Sequence, residues 1–302
     1  MQRGFKLMEK EKKLFSDGIF GTLLFTLLLM LSSSIVVAPL AGFASQMLVS
    51  RPEEGTVLLY FSSIIYWAVT ALFMFLIRRD RPLFRCIAPG CGGNTFLFLL
   101  AGIALGFLLN GVCILSAVLH SDIVLYFSGG SLLLFLAAFA AVAVQSGAEE
   151  YIVRVYVYQR LARRYASPLV PIAVSSLIFA FLHIFNPGMT PVSFLCITLT
   201  GVLFALFIHY FNSFYLAMMT HTMWNYSQTI LFGLPNSGNV TPFSVFRLDA
   251  AKAVDSFFYS VNFGIEGSAM ALIVLVIAIA TTILIGRAKN NRDCADEKTV
   301  LL

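Results

Sequence analysis

Charged residues are scarce in this chain. Only 12% of its 302 residues are Asp, Glu, Lys or Arg, whereas 59% are hydrophobic. A typical soluble domain carries about 25% charged residues, so this composition excludes a soluble globular protein and indicates a multi-span membrane protein. The length leaves little room for a separate soluble domain. We therefore predict a single integral-membrane domain over residues 1–302.

Several functional signatures are also missing. The chain has five cysteines, and the two that share a loop, Cys86 and Cys91, have no neighbouring histidines or second cysteine pair, which argues against a zinc knuckle or a disulfide framework. No His-Glu-x-x-His motif occurs, and no internal repeat supports an inverted-repeat transporter. The net charge of +5 is not arranged as a basic face interleaved with aromatics, so we expect no nucleic-acid partner.

Long apolar runs fill most of the chain. Each is close to the ~20 residues that cross a hydrocarbon core, the fifth only marginally. These runs predict an all-α, polytopic integral-membrane bundle of about eight transmembrane helices. The runs cover approximately residues 19–37, 56–77, 95–119, 125–164, 168–186, 192–210, 214–232 and 269–285.

The basic residues predict the orientation in the lipid bilayer. With eight spans, both termini and three loops lie on one face, and that face carries seventeen of the 20 Lys and Arg residues. Only Arg51, Arg247 and Lys252 lie on the other face. Because cytoplasmic loops are enriched in Lys and Arg, we expect both termini to be cytoplasmic.

Two adjacent carboxylates, Glu149 and Glu150, end a run of about twenty apolar or small residues. Ionisable residues within a span are costly and usually functional. On a helix Glu150 and Arg154 share one face, whereas Glu149 points about 100° away. We therefore expect Arg154 to pair with Glu150, and Glu149 to be free for another role.

Three further polar residues lie within spans: His183, His221 and Asn225. Because lipid exposure would be costly, they should face one another and Glu149 inside the bundle. A poorly solvated carboxylate can take a proton from water, two imidazoles can hold a metal or polarise a carbonyl, and an amide can stabilise an oxyanion. Together these groups indicate the addition of water to an amide. We expect the site in the cytoplasmic half of the bundle, and Glu266 at a span end in contact with water.

The spacing of these residues resembles a known family. The segments Glu149-Glu150-x-x-x-Arg154, Phe179-x-x-x-His183 and His221-x-x-x-Asn225 occur in the order found in the CPBP family. These are the CAAX-processing and bacteriocin-processing intramembrane proteases, often labelled ABI. The motifs define a catalytic core at about residues 125–232. The chain departs from the family at Val155, where a glycine commonly follows the arginine.

The resemblance implies a role for each residue. Glu149 would be the general base, with Glu150, Arg154 and Phe179 as supporting residues. His183 and His221 would bind the substrate carbonyl or a divalent metal such as Zn, and Asn225 would stabilise the oxyanion. Members of the family have been described both as glutamate-type and as metallo-type endopeptidases.

The resemblance also implies a substrate and a location. We expect a multi-pass protein of a bacterial plasma membrane that cleaves a membrane-associated peptide or protein near the cytoplasmic face. Two alternatives stay open at this stage. One is a catalytically silent scaffold or bacteriocin-immunity-type binding protein, and the other is a proton-coupled transporter.

Overall fold

The computed structural model describes the backbone of residues 17–300 and the side chains of residues 17–289. The predicted basic N-terminal segment (Arg3, Lys6, Lys10, Lys12 and Lys13) and the side chain of Cys294 lie outside these described parts. The α-helices are α1 (Ile19–Ser50), α2 (Pro52–Phe61), α3 (Ile64–Leu76), α4 (Phe96–Leu119), α5 (Leu132–Glu150), α6 (Gln159–Arg164), α7 (Leu169–Leu182), α8 (Pro191–Phe211), α9 (Phe214–Tyr226) and α10 (Ala269–Val300).

Shorter elements connect these helices. A π-helix (Tyr151–Tyr158) joins α5 to α6, and a second one (Ser227–Leu231) extends α9. Two 3₁₀-helices cover Arg81–Cys86 and Ile265–Gly267. The strands β1 (Leu125–Phe127) and β2 (Phe246–Leu248) form one antiparallel pair, in which Leu125 faces Leu248. This pair attaches the long loop after α9 to the loop before α5.

The predicted class of fold, a polytopic helical membrane bundle, is confirmed. Within the described residues, six helices are long and apolar enough to cross a membrane, counting the α2–α3 unit and the α5–π–α6 unit as one helix each. The predicted fifth and seventh spans form the shorter helices α7 and α9, of 14 and 13 residues. Their length does not by itself support a full crossing, so the count of eight spans stays a prediction.

The starts of α8 and α9 are capped by hydroxyl side chains. Thr190 and Ser193 form a capping box at the start of α8, where Pro191 occupies the first turn. Asn212 ends α8 in the left-handed conformation with a φ of 47°, and Ser213 then caps α9 by accepting from Leu216 N at 3.1 Å. The turn from α8 to α9 is therefore short and defined by local hydrogen bonds.

Two glycines bring α4 unusually close to α9. A Cβ added at Gly102 would lie 2.9 Å from Leu216 O, and one added at Gly106 would lie 2.4 Å from Thr220 O. Small residues four apart allow helix backbones to approach in this way in membranes. This contact fixes the depth and rotation of the helix that carries His221 and Asn225.

The bundle has two chemically different ends. At the end we call the basic end, Asp17 and Asp80 form ion pairs with Arg160 and Arg163, and Arg79 lies 3.0 Å from Asp17. Arg160 and Asp80 are fully buried, so this arginine holds three helix ends together as well as contributing to the charge distribution. The opposite end, the loop end, consists of residues 120–131, 183–190 and 233–268.

Candidate active site

A buried ion pair forms the base of the candidate site. Glu150 and Arg154 are fully buried, with Arg154 Nε 2.8 Å from Glu150 Oε2. The other oxygen of Glu150 lies 3.0 Å from His221 Nδ1. The pairing of Glu150 with Arg154 expected from helical spacing is therefore present, and it also holds a histidine from α9.

Arg154 and Phe179 pack against the side chains of the site. The guanidinium of Arg154 lies 5.2 Å from the centre of the Phe179 ring. The same ring packs against His183 and His221, with centroid distances of 4.8 and 5.7 Å. Phe179 therefore fills the space between the arginine and the two imidazoles and restricts the rotation of both rings.

The backbone leaves regular α-helical geometry next to the site on both helices. The π-helix begins at Tyr151, directly after the two glutamates, and the second one begins at Ser227, two residues after Asn225. Segments of π-helix are rare and occur frequently at functional sites. A widened turn changes the direction of the side chains that follow it, so both departures alter the backbone next to the site residues.

Glu149 faces the two histidines, as its helical position predicts. Its Oε2 atom lies 3.7 Å from His183 Nε2 and 3.9 Å from His221 Nε2. Its Oε1 atom accepts a hydrogen bond from Gln145. Oε2 is buried and has no hydrogen-bond partner among the described residues. A buried carboxylate oxygen without a partner is costly, which marks the space between Oε2 and the imidazoles as the place for a polar ligand or water.

The remaining contacts of the imidazoles set their proton positions. His183 Nδ1 lies 2.8 Å from the carbonyl oxygen of Phe179, and His221 Nδ1 lies 3.0 Å from a carboxylate oxygen of Glu150. Both oxygens accept, so each ring donates from Nδ1. Nε2 of each ring is left facing Glu149, as a lone pair in the neutral form or as a donor in the imidazolium form.

Asn225 lies on the same wall, one helical turn beyond His221. Its Nδ2 donates to Ser146 Oγ at 3.3 Å, and its Oδ1 accepts from Asn236 Nδ2 at 3.2 Å. An amide nitrogen carries two hydrogens. With one hydrogen directed to Ser146, the second is available to a group in the cavity.

The residues present do not form a metal site of the usual kind. In the part of the chain with described side chains, no three His, Cys, Asp or Glu side chains form a group that could hold a metal ion. Catalytic zinc normally has three protein ligands. The role of His183 and His221 as ligands of a divalent metal stays a prediction.

The side chains of Glu149, His183, His221 and Asn225 line a cavity of about 580 Å³. Its apolar wall comes from helices, while its polar rim comes from the loop end, including Asn186, Asn236 and Thr241. Leu48, near the end of α1, also lines it. The cavity thus reaches the loop end and not the basic end. The predicted site in the cytoplasmic half and the predicted cytoplasmic location of both termini therefore cannot both hold, because that orientation puts the loop end outside.

Glu266 is a site residue that the sequence interpretation placed incorrectly. It was expected to contact water, but it is only 9% exposed and lines the same cavity. Burial raises the pKa of Glu266 above its usual range, while hydrogen bonds from Ser237 act in the opposite direction. Its position three residues before the last span gives no sequence signal for this role, because the residues that surround it lie in the irregular loop 233–267.

Two further polar residues, Gln145 and Asn236, line the cavity, and a third, Ser146, is buried behind Asn225; the sequence motifs assign none of them to the site. Gln145 contacts Glu149, and Ser146 and Asn236 contact Asn225. Gln145 lies one helical turn before Glu149 on α5, so its position on the same helix face was available from the sequence. For Asn236 there was no such signal.

The fold and site together define an integral-membrane bundle with a carboxylate–imidazole–amide site in its interior. Residues 128–227 match the family described as Type II CAAX prenyl endopeptidase Rce1-like. This match confirms the resemblance to the CPBP proteases that the sequence motifs indicated. The matched segment runs from before α5 to the end of α9 and contains Glu149, His183, His221 and Asn225. Neither a curated protein nor a solved structure gave a significant match.

Proposed function

We propose that this protein is an intramembrane endopeptidase that hydrolyses a peptide bond with water activated by Glu149. The observation that carries the proposal is the unpartnered Oε2 atom of Glu149, which faces the Nε2 atoms of His183 and His221 at 3.7 and 3.9 Å. A scaffold needs no such set, and a buried carboxylate, two imidazoles and an amide around one cavity are the groups that amide hydrolysis requires.

In the proposed reaction, a water molecule between Glu149 and His183 gives a proton to Glu149 Oε2. The hydroxide oxygen adds to the carbonyl carbon of the substrate, and the negative charge develops on the carbonyl oxygen. Asn225 Nδ2 and the Nε2–H of a protonated His221 donate hydrogen bonds to that oxygen. The C–N bond then breaks, and Glu149 returns the proton to the leaving nitrogen.

Glu150 supports this chemistry without touching the reacting atoms. Its carboxylate contacts His221 Nδ1 and so favours the charged form of the ring that donates to the oxyanion. Arg154 balances the charge of Glu150. This pairing lets a charged imidazole form in the largely apolar interior of the bundle.

The proposed substrate is a membrane-associated peptide or protein segment. The cavity is lined by apolar side chains such as Met30, Leu59 and Ile197 on one side and by the polar loop residues on the other. An extended segment with apolar side chains fits such a wall. The peptide bond to be cleaved would lie at the polar rim of the cavity, outside the lipid environment.

We propose further that both termini are cytoplasmic in a bacterial plasma membrane, so that the cavity opens on the extracytoplasmic face. Support comes from the distribution of Lys and Arg: apart from Arg154, which is buried in the site, sixteen of the 20 fall on the side of the termini. The described ion pairs of Asp17 and Asp80 lie at that same basic end. Cleavage would then take place in the outer half of the bundle.

Labelling of single cysteines tests this orientation. Cys91 is exposed at the basic end, and Val240, which is 69% exposed, lies at the loop end. In a Cys294→Ser background, a membrane-impermeant maleimide should label the Val240→Cys variant in intact cells, and Cys91 only after permeabilisation. The reverse pattern would contradict the orientation and leave the hydrolytic proposal standing.

Profiling of protein N-termini tests the function itself. Membranes with the wild-type protein should contain new N-termini, in or near membrane-spanning segments, that are absent with Glu149→Gln. A metal chelator such as 1,10-phenanthroline should leave these fragments unchanged if Glu149 acts without a metal. Identical sets of N-termini in membranes with the wild-type protein and in membranes with Glu149→Gln would show that the protein cleaves no membrane protein in them. That result would favour a catalytically silent scaffold.

A further inference from the structure

A chain of hydrogen bonds runs along one side of the cavity and ends on Asn225. Asn236 Nδ2 donates to Glu266 Oε1 at 3.0 Å and to Asn225 Oδ1 at 3.2 Å. Asn225 Nδ2 in turn donates to Ser146 Oγ at 3.3 Å. Neither Asn236 nor Glu266 belongs to the segment 128–227 that matches the endopeptidase family.

Glu266 is held as an acceptor at both of its oxygens. Trp224 Nε1 donates to Oε1 at 3.1 Å, alongside Asn236. The backbone N–H and the hydroxyl of Ser237 lie 2.7 and 3.1 Å from Oε2. The indole N–H of Trp224 and the backbone N–H of Ser237 can only donate, so each oxygen of Glu266 accepts at least one hydrogen bond.

This arrangement determines which end of each amide faces the next group. Because Glu266 accepts, Asn236 must present its NH₂ group to it. Both hydrogens of that group are then used, one on Glu266 and one on Asn225, so Asn225 must present its oxygen to Asn236. The NH₂ group of Asn225 is thereby directed to Ser146 and into the cavity. The opposite orientation of Asn225 would bring two NH₂ groups face to face.

The loop that carries Asn236 is fixed by its own contacts. Gln228 Nε2 donates to Pro235 O at 2.6 Å. Gly264 has a φ of 89°, and a Cβ added there would lie 1.9 Å from Pro235 O. The backbones of Asn236 and Gly264 also form a β-bridge. The loop is therefore clamped on both sides, and Asn236 and Glu266 are held at a defined distance.

We propose that Glu266 and Asn236 are positioning residues that orient the Asn225 amide so that its NH₂ group faces the oxyanion of the substrate. The inference rests on the proposed hydrolytic function and extends it beyond the family-matched segment. Glu266 acts through two hydrogen bonds and touches no reacting atom.

Asn236→Asp is the sharpest variant, because it keeps the shape of the side chain and reverses its hydrogen-bonding character. The introduced carboxyl group and Glu266 would share one proton, and the second oxygen of the introduced group would then accept from Asn225. This turns the NH₂ group of Asn225 away from the cavity. We expect kcat to fall by about 10²–10³, the usual effect of losing one oxyanion donor, with KM changed by less than about twofold.

Asn262→Asp is the matched control. Asn262 lies in the same long loop and is exposed, and among the described residues it does not belong to the lining of the cavity. The same change of charge at this position should leave kcat within about twofold of the wild type. An equal fall in kcat for both variants would overturn the proposal in favour of a general charge effect.

A double-mutant cycle separates positioning from a general structural role. In an Asn225→Ala background, Asn236→Asp should cause no further loss of kcat, because its effect passes through Asn225. A further loss as large as in the wild-type background would overturn the inference. An unchanged kcat for the Asn236→Asp variant would also overturn the inference. Because that variant would still cleave the substrate, this outcome would leave the proposed function intact.

Melting temperatures test the network without any activity. Glu266→Ala and Asn236→Ala should each lower Tm, and the double variant should lose less than the two losses combined, since each single variant already breaks the shared hydrogen bond. Additive losses would overturn the network. If neither the wild type nor Glu149→Gln cleaves any substrate, the proposed function fails. The melting temperatures of the single and double variants still decide whether the hydrogen bonds of Asn236 and Glu266 are coupled.

Discussion

Replacement of Glu149 by glutamine should lower the rate of cleavage by about 10²–10⁴, the usual contribution of a general base. The change is nearly isosteric, and the amide oxygen of the new side chain can still accept the hydrogen bond from Gln145. Only the ability to take a proton from water is removed. The loss should therefore appear in kcat, with little change in KM, when the fragments found by N-terminal profiling are followed over time.

Glu53→Gln provides the matched control for this experiment. Glu53 lies in α2 near the loop end and is exposed, so the same loss of one carboxylate should leave the rate unchanged within about twofold. If Glu149→Gln retained the wild-type rate, Glu149 would not be the base. If both variants lost activity equally, the effect would come from the overall charge and not from the site.

Removal of Glu150 should have the largest effect on stability. Glu150 and Arg154 are both fully buried, so Glu150→Ala leaves a charged guanidinium and the Nδ1–H of His221 without their carboxylate. Breaking a buried pair on one side typically costs about 3–5 kcal/mol. We expect a clear fall in the thermal unfolding temperature of the detergent-solubilised protein, together with loss of cleavage.

The double variant Glu150→Leu/Arg154→Leu distinguishes stability from function. Because apolar residues often replace a buried ion pair at little cost, most of the lost stability should return. Cleavage should not return, since His221 still lacks its carboxylate partner. As a control, Lys252→Ala removes an exposed ion pair with Asp249 and should change stability by less than about 1 kcal/mol. Recovery of full activity in the double variant would contradict the role given to Glu150.

The sequence predicted those features that depend on regular helical periodicity and on composition. The apolar runs predicted the helical bundle, and the spacing of Glu150 and Arg154 predicted their pairing. The cost of polar groups in lipid predicted that Glu149, His183, His221 and Asn225 lie together, which is how the structure places them. Their chemical roles stay predictions until the variants above are measured.

Features that depend on irregular backbone could not be predicted. Glu266 and Asn236 reach the cavity through a loop with no repeating pattern, and a carboxylate next to a span normally contacts water. The two π-helices also have no composition that separates them from an α-helix. The sequence also does not show at which end of the bundle the cavity opens, because distances along single helices do not show which loops cover the site.

The most direct test of the account uses purified protein in liposomes with one substrate identified from the membrane profile. In H₂¹⁸O, the wild-type protein should cut this substrate and place ¹⁸O in the new C-terminal carboxyl group, while Glu149→Gln under the same conditions should leave it intact. Fragments that form at the same rate with Glu149→Gln, or an intact substrate with the wild-type protein, would contradict the claim that Glu149 activates water for peptide hydrolysis in this membrane bundle.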